Sequence, residues 1–505
     1  MSSENSRRIV KNTSVLYLQM VCSSLIGLYT SRVILNVLGV EDFGIFNAIG
    51  GVVALFGILN AAMSSSSSRF ITYELGSGNL EKLRAIFSTS FLIHLALGLI
   101  VCLITLPIGA WFIQVHMKIP AVRLDAGLWV FFSVVATTFF SVLSVPFNAI
   151  IIAHERMHVY AFFTILDLIL KLIIVLSLTL IPFDKLKVYG ILLVISQLIM
   201  QGIYWMYCYK SFNEARIKME WDKVQFKEMT SFAGWSLFGD SAYLFYTQGL
   251  NVLLNVFFGA PVNAARGIAV QVQGLLMRLT NGFQTSINPQ ITKSYASGDF
   301  AYMSKLIFTS SKYSFFLFLL FAIPVFLEGN QLLVFWLKVV PPHTLAFIRL
   351  ILMIALLDCL ANPLIASVKA SGKIKKYQAV LGSLLLLIVP ISYFFLKLGF
   401  PPESVFVVQF FVALIGQCLR IILARPLIEI SLYEYGKKVI IKCVVGLVLI
   451  ALIPSWLYFS FDESLFRLSS IVVTSMLSTI VIVFFFISDH EERKWISSRL
   501  LFKGH

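Results

Sequence analysis

Apolar runs long enough to cross a bilayer recur from one end of this chain to the other. A helix needs about 20 residues to span the hydrocarbon core. Cutting the 505 residues at charge clusters and Gly/Pro punctuation gives fourteen such runs. They cover 13–37, 42–66, 86–113, 124–150, 158–182, 188–210, 230–257, 262–290, 306–330, 343–370, 376–398, 403–426, 437–460 and 464–487. In hydrocarbon every backbone N–H and C=O must be satisfied within the segment, so runs of this length are helices. Composition agrees: 58% of residues are hydrophobic and only 13% are charged, where a soluble domain carries about a quarter. The expected fold class is an all-α polytopic membrane protein.

The formal charge of +15 would suit nucleic acid if it were clustered. Instead, most Lys and Arg fall in alternate loops. Arg7, Arg8, Lys11, Lys82, Arg84, Lys373, Lys375, Lys376, Lys437 and Lys438 lie on one side, and few, such as Lys118, Arg123, Lys185 and Lys187, on the other. By the positive-inside rule both termini are expected in the cytoplasm, and no nucleic-acid partner is expected. The first apolar run continues without a small-residue cleavage site, so it reads as a span rather than a removed signal. The six cysteines (Cys22, Cys102, Cys208, Cys359, Cys418, Cys443) have no metal-ligand spacing and read as small buried residues.

The chain also repeats itself. Shifted by 220, "RFITYELGSGN" (69–79) falls on "PQITKSYASGD" (289–299), and Gly39 falls on Gly259. Shifted by 217, "PFNAIIIAHERMHVY" (146–160) falls on "PLIASVKASGKIKKY" (363–377), matching Pro146 with Pro363 and Tyr160 with Tyr377. The offset spans an even number of helices, so the halves share one orientation, as in parallel-repeat transporters. The expected organisation is a six-helix lobe at 1–211, a cytoplasmic interfacial linker at 212–229, a second six-helix lobe at 230–430, and two additional helices with a cytoplasmic tail at 431–505.

The hairpin "SRVILNVLGVEDFGIFNAIGG" resembles the first hairpin of polysaccharide and oligosaccharide-lipid flippases of the MOP superfamily. So do "IIIAHERMHVYAFFTILDLILKLIIVLSL" (150–178) and "LNVFFGAPVNAARGIAVQV" (254–272) resemble later segments of that family. The resemblance implies a MATE-like fold of two lobes that open alternately to each side of a bacterial cytoplasmic membrane. It implies a polyprenyl-pyrophosphate-linked oligosaccharide as substrate, carried from the inner to the outer leaflet. Membrane lipids and polysaccharide-assembly proteins are the implied partners, and the implied state is a monomer without cofactor.

Polar residues inside spans are functional suspects. Arg32 lies seven residues before Gly39. It either snorkels to the headgroups or faces a cavity, where its guanidinium would grip a phosphate bidentately. Asp240, Tyr243, Thr247 and Asn251 share one face of span 7, with Asn255 beside them. Arg266, Gln273, Thr280 and Gln284 share a face of span 8. The alternative for both stripes is interhelical hydrogen bonding. The expected substrate set is Arg32, Arg266, Asn251, Asn255, Thr247, Gln273 and Asp240, with the two arginines on the pyrophosphate. Asp167 and Lys171, four apart in span 5, form an ion pair that is either structural or a coupling site for Na+ or H+; Asp358 in span 10 is a further coupling candidate. His94 and the serines of "MSSSSSRF" (63–70) read mainly as packing residues. There is no HExxH, GxSxG or Walker A motif and no His/Cys metal cluster, so a transporter rather than an enzyme is expected. The rival readings are an ion-coupled multidrug exporter and a membrane glycan polymerase or glycosyltransferase. Short outer loops count against the last.

Overall fold

The computed structural model describes residues 3–54, 57–117, 119–216, 222–337, 340–490 and 492–493. Among them there is no β-strand. The helices are α1 (Ser3–Ala54), α2 (Gly57–Ser77), α3 (Leu80–Val115), α4 (Leu124–Ala153), α5 (Met157–Ser177), α6 (Lys185–Ser211), α7 (Lys223–Phe258) and α8 (Ala260–Ala296). They continue as α9 (Phe300–Leu337), α10 (Thr344–Ser371), α11 (Lys375–Leu386), α12 (Ile388–Lys397), α13 (Ser404–Ile428), α14 (Leu432–Tyr435), α15 (Ile441–Ser460) and α16 (Leu465–Ile482). Eleven segments among the described residues are long and apolar enough to cross a membrane. Spans 7 and 8 fall short on apolarity and not on length: α7 and α8 run 36 and 37 residues, about 55 Å at ~1.5 Å per residue. Their polar stripes lower the hydropathy. Span 2 runs partly outside the described residues.

The chain packs as two compact units. The first holds Met1–Asp240 and Thr292–Gly298; the second holds Ser241–Ile291 and Asp299–His505. The division falls within α7, at Asp240, beyond the linker expected at 212–229. The linker's start docks on the first unit, with Glu214 and Ala215 buried; residues 217–221 lie outside the described set; and α7 begins at Lys223.

In the first unit α4 packs on α3 and α6, and α1 on α5. A cluster of Ile45, Ile49, Ile113, Val130, Phe131 and Leu186 closes one end of it. Gly109 admits the Phe131 ring there; a Cβ at 109 would lie 2.4 Å from it. At the same end Arg123 bonds both Asp42 and Asp184, at 2.7 Å to the latter. That ties the turn at Gly39 to the loops before α4 and before α6. Asp184 also caps α6, accepting from the N–H groups of Leu186 and Lys187.

In the second unit α10 packs on α9 and α13, and α15 and α16 pack on each other and on α9. Two ion pairs, each with one buried member on α9, pin the extra hairpin to that helix. Glu328, 1% exposed at a break in α9 that follows Pro324, accepts from Arg467 Nε and Nη2 at 2.6 and 3.0 Å. Lys312, 3% exposed, donates to Glu492 Oε2 at 2.9 Å. Between them Gly446 lies against the Phe316 ring.

The backbone carries the repeat. Gly39 and Gly259 have φ of 79° and 78°, and Gly78 and Gly298 have 77° and 75°. Each pair lies 220 residues apart and stands in the left-handed region that favours glycine. The 217-residue offset recurs at Glu155 and Gly372, with φ of 58° and 75°. Pro146 and Pro363 both sit inside helices, α4 and α10.

Candidate functional site

Each unit places polar groups within its long helices. In the second unit, Arg266 stands seven residues after Gly259 on α8. Its Nη1 donates to Asn251 Oδ1 at 3.0 Å, and its Nη2 donates to the Thr247 carbonyl at 2.7 Å, both on α7. Its Nε is buried with no partner. The three residues meet because α7 and α8 form a hairpin about Gly259, and 247 and 251 lie one turn apart. Both acceptors are neutral, so neither offsets the guanidinium charge.

The other expected members of that set stand apart. Asn255 is exposed, Gln273 and Asp240 are half-buried, and none of them hydrogen-bonds Arg266. Gln284 is structural: it donates to Ser314 Oγ at 3.0 Å and accepts from Asn362 Nδ2 at 3.2 Å, joining α8 to α9 and α10. Arg278 is exposed on α8.

Asp358 has company that sequence reasoning missed. It lines a small cavity of about 40 Å³ with Tyr243, Tyr246, Gln409 and Arg420. The two tyrosine rings meet edge to face, 5.2 Å apart. Arg420 Nε is buried without a partner. The signal was present as an arginine within the apolar run "QCLRIILARPL". Arg349 instead donates to the Phe326 carbonyl at 3.0 Å, in line with its place on the far side of α10 from Asp358.

In the first unit Arg32 is exposed on α1 and makes no hydrogen bond or ion pair among the described residues. Lys171 donates to Asp167 Oδ2 at 2.7 Å on α5. A cavity of about 400 Å³ opens beside Lys171, lined also by Asn60, Thr137, Thr138, Ser141 and Gln197. His94 is fully buried with Nδ1 2.8 Å from the Ser90 carbonyl. Ser66 donates to the Met229 carbonyl and Ser67 accepts from Ser90, so two of the clustered serines bind helices together. Of the six cysteines, Cys208, Cys359 and Cys443 are buried, whereas Cys418 is exposed on α13.

Two polar sites near the helix ends complete the first unit. His154 Nε2 lies 2.6 Å from Glu214 Oε1, and that hydrogen bond holds the Glu214 carboxyl below its usual range. Glu155 accepts from Lys293 Nζ at 2.7 Å and gives its carbonyl to Asn12 Nδ2. At Gly76 a Cβ would lie 2.7 Å from the Lys293 Cα, so α2 and the end of α8 touch backbone to backbone.

This architecture is a multi-pass helical fold shared with solved transporters of the MOP superfamily. A solved MATE transporter, a point mutant, superposes with a TM-score of 0.72 at 16% identity, over 84% of this chain and 97% of that one. An outward-facing multidrug resistance MATE family transporter gives 0.69 at 14% identity, over 84% and 96%. A MOP superfamily transporter from Pyrococcus furiosus, described as having a binding pocket of reverse polarity, gives 0.67 at 15%, over 84% and 96%. At such identities the likeness is one of fold. The sequence pattern of the polysaccharide biosynthesis protein family matches residues 9–295, more than half of the chain, and the chain belongs to that family. No curated protein matches it.

Proposed function

We propose that the chain carries a polyprenyl-pyrophosphate-linked oligosaccharide from the inner to the outer leaflet of a bacterial cytoplasmic membrane by alternating access, with both termini in the cytoplasm. The observation that carries this reading is Arg266. A guanidinium within a spanning helix is costly, and here its partners are an amide oxygen and a backbone carbonyl, with no carboxylate. A cation left uncompensated suits an anionic ligand, and guanidinium binds phosphate oxygens in pairs. Arg266 is assigned to the pyrophosphate. Arg32, an exposed guanidinium of the first unit, is assigned the same chemistry. An exporter of cationic drugs would favour acidic groups in these places.

Coupling to an ion gradient is assigned to Asp358, whose cavity with Tyr243, Tyr246 and Arg420 is the size of a water or a small ion. Asp167 is already neutralised by Lys171.

The test replaces Arg32 and Arg266 by Ala, singly and together, and measures surface glycan at equal protein level. Loss in both single variants, with partial recovery in Arg266→Lys, is expected. Normal glycan in the double variant overturns the assignment. Neighbouring glycosyltransferase genes would favour this reading over drug export.

A further inference from the structure

The 400 Å³ cavity of the first unit is within the range of small-molecule sites, about 300–1,000 Å³. Its chemistry is selective. Five lining residues offer neutral polar groups: Asn60, Thr137, Thr138, Ser141 and Gln197. Thr137 and Thr138 spend their protons on the Val134 carbonyl, at 2.9 and 2.8 Å. Their oxygens therefore face a ligand as acceptors. Ser141 and Gln197 make no hydrogen bond among the described residues. Asn60 Oδ1 is buried with no partner; an acceptor left so costs free energy, which a ligand donor would recover. Lys171, the cavity's one charge, gives one of its three protons to Asp167 and keeps two.

The lining is as informative for what it lacks. In a chain with 45 Phe, 18 Tyr and 8 Trp, no aromatic ring among the described residues lines this cavity. A flat aromatic cation would find no ring to stack on and a lysine instead of a free acid. A ligand with many hydroxyl groups meets both needs at once. It donates to the threonine and amide oxygens and accepts from Lys171 and Gln197.

We propose that this cavity is a sugar subsite, taking a neutral hexose or N-acetylhexosamine unit of the transported headgroup. The subsite rests on the lipid-linked substrate proposed above. It is separate in residues from the arginines assigned to the pyrophosphate.

The experiment uses the full-length protein in lipid nanodiscs. The probes are undecaprenyl pyrophosphate without sugar and the same lipid carrying glucose, galactose, N-acetylglucosamine or N-acetylgalactosamine. Binding is read by native mass spectrometry. The variants are Gln197→Leu and Ser141→Leu together, and Lys171→Met as a second. The first pair removes no bond that holds the fold, and an unchanged unfolding midpoint checks this. Wild type should bind at least one glycosylated lipid more tightly than the bare lipid. The variants should lose about tenfold for each hydrogen bond removed and bind the bare lipid unchanged. A preference for the glycosylated lipid that survives in both variants overturns the subsite alone. Equal weakening of bare and glycosylated lipids also overturns it. If wild type binds neither kind, the lipid-linked substrate falls, and the subsite with it.

Discussion

Replacing Arg467 by Met leaves the Glu328 carboxylate 1% exposed and without its partner. The pair is bidentate, and Arg467 also donates to the Phe461 carbonyl at 3.0 Å and lies over the Tyr458 ring at 4.8 Å. An arginine in the first turn of α16 opposes the helix dipole, so its place there is set by Glu328. Removing one member of a buried pair costs about 3–5 kcal/mol. The reverse change, Glu328→Met, should cost less, about 2–3 kcal/mol, because Arg467 keeps its carbonyl and its ring and can turn toward water. Replacing both by Met removes both desolvated charges, and the double variant should recover most of the loss. Set against single costs that sum to about 5–8 kcal/mol, that recovery to about 1–2 kcal/mol corresponds to a coupling of about 4–6 kcal/mol between the sites. The assay is unfolding of detergent-solubilised protein by SDS titration, compared across the four proteins at one protein concentration. Costs that simply add in the double variant would refute the reasoning, as would Arg467→Met being the milder single change.

Two further predictions concern the first unit. Glu155 holds a left-handed backbone that costs a non-glycine residue about 1–2 kcal/mol, and its repeat counterpart is Gly372. Glu155→Gly and Glu155→Ala both lose Lys293, but only Gly relieves the backbone, so Gly should be the more stable by about 1 kcal/mol; an alanine variant of equal or higher unfolding midpoint would contradict this. Glu214 has its pKa lowered from the ordinary 4.5, first by the His154 hydrogen bond. A carboxyl whose folded value is depressed adds stability above its unfolded pKa and loses it as pH falls through the folded value. Stability should therefore drop on acidification below about pH 5, and Glu214→Gln should flatten that part of the profile; identical acid slopes in the two proteins would rule the pair out as a contributor.

The helical class, the recurrence of apolar spans and the internal repeat were legible in the chain because each rests on local chemistry. Apolar runs longer than a bilayer must satisfy their own backbone. Gly39 and Gly259, and Gly78 and Gly298, mark left-handed turns wherever the sequence is read. The i to i+4 spacing of Asp167 and Lys171 is enough to bring the two together. The pairing of Arg266 with Asn251 was half visible, since both lie on polar faces of neighbouring helices, but spacing alone could not separate Asn251 from Asn255. Contacts between distant segments were decided by the tertiary structure. Arg420 reaches the cavity of Asp358 from another helix. Glu155 lies in the glycine-favouring region of its repeat partner. Lys312 and Glu328, unremarked in the sequence, hold α15 and α16 against α9 through Glu492 and Arg467, 180 and 139 residues away. Periodicity reports which face of a helix is polar. Only packing decides which other helix that face meets, and so whether a buried charge is a structural pin or is left free for a ligand.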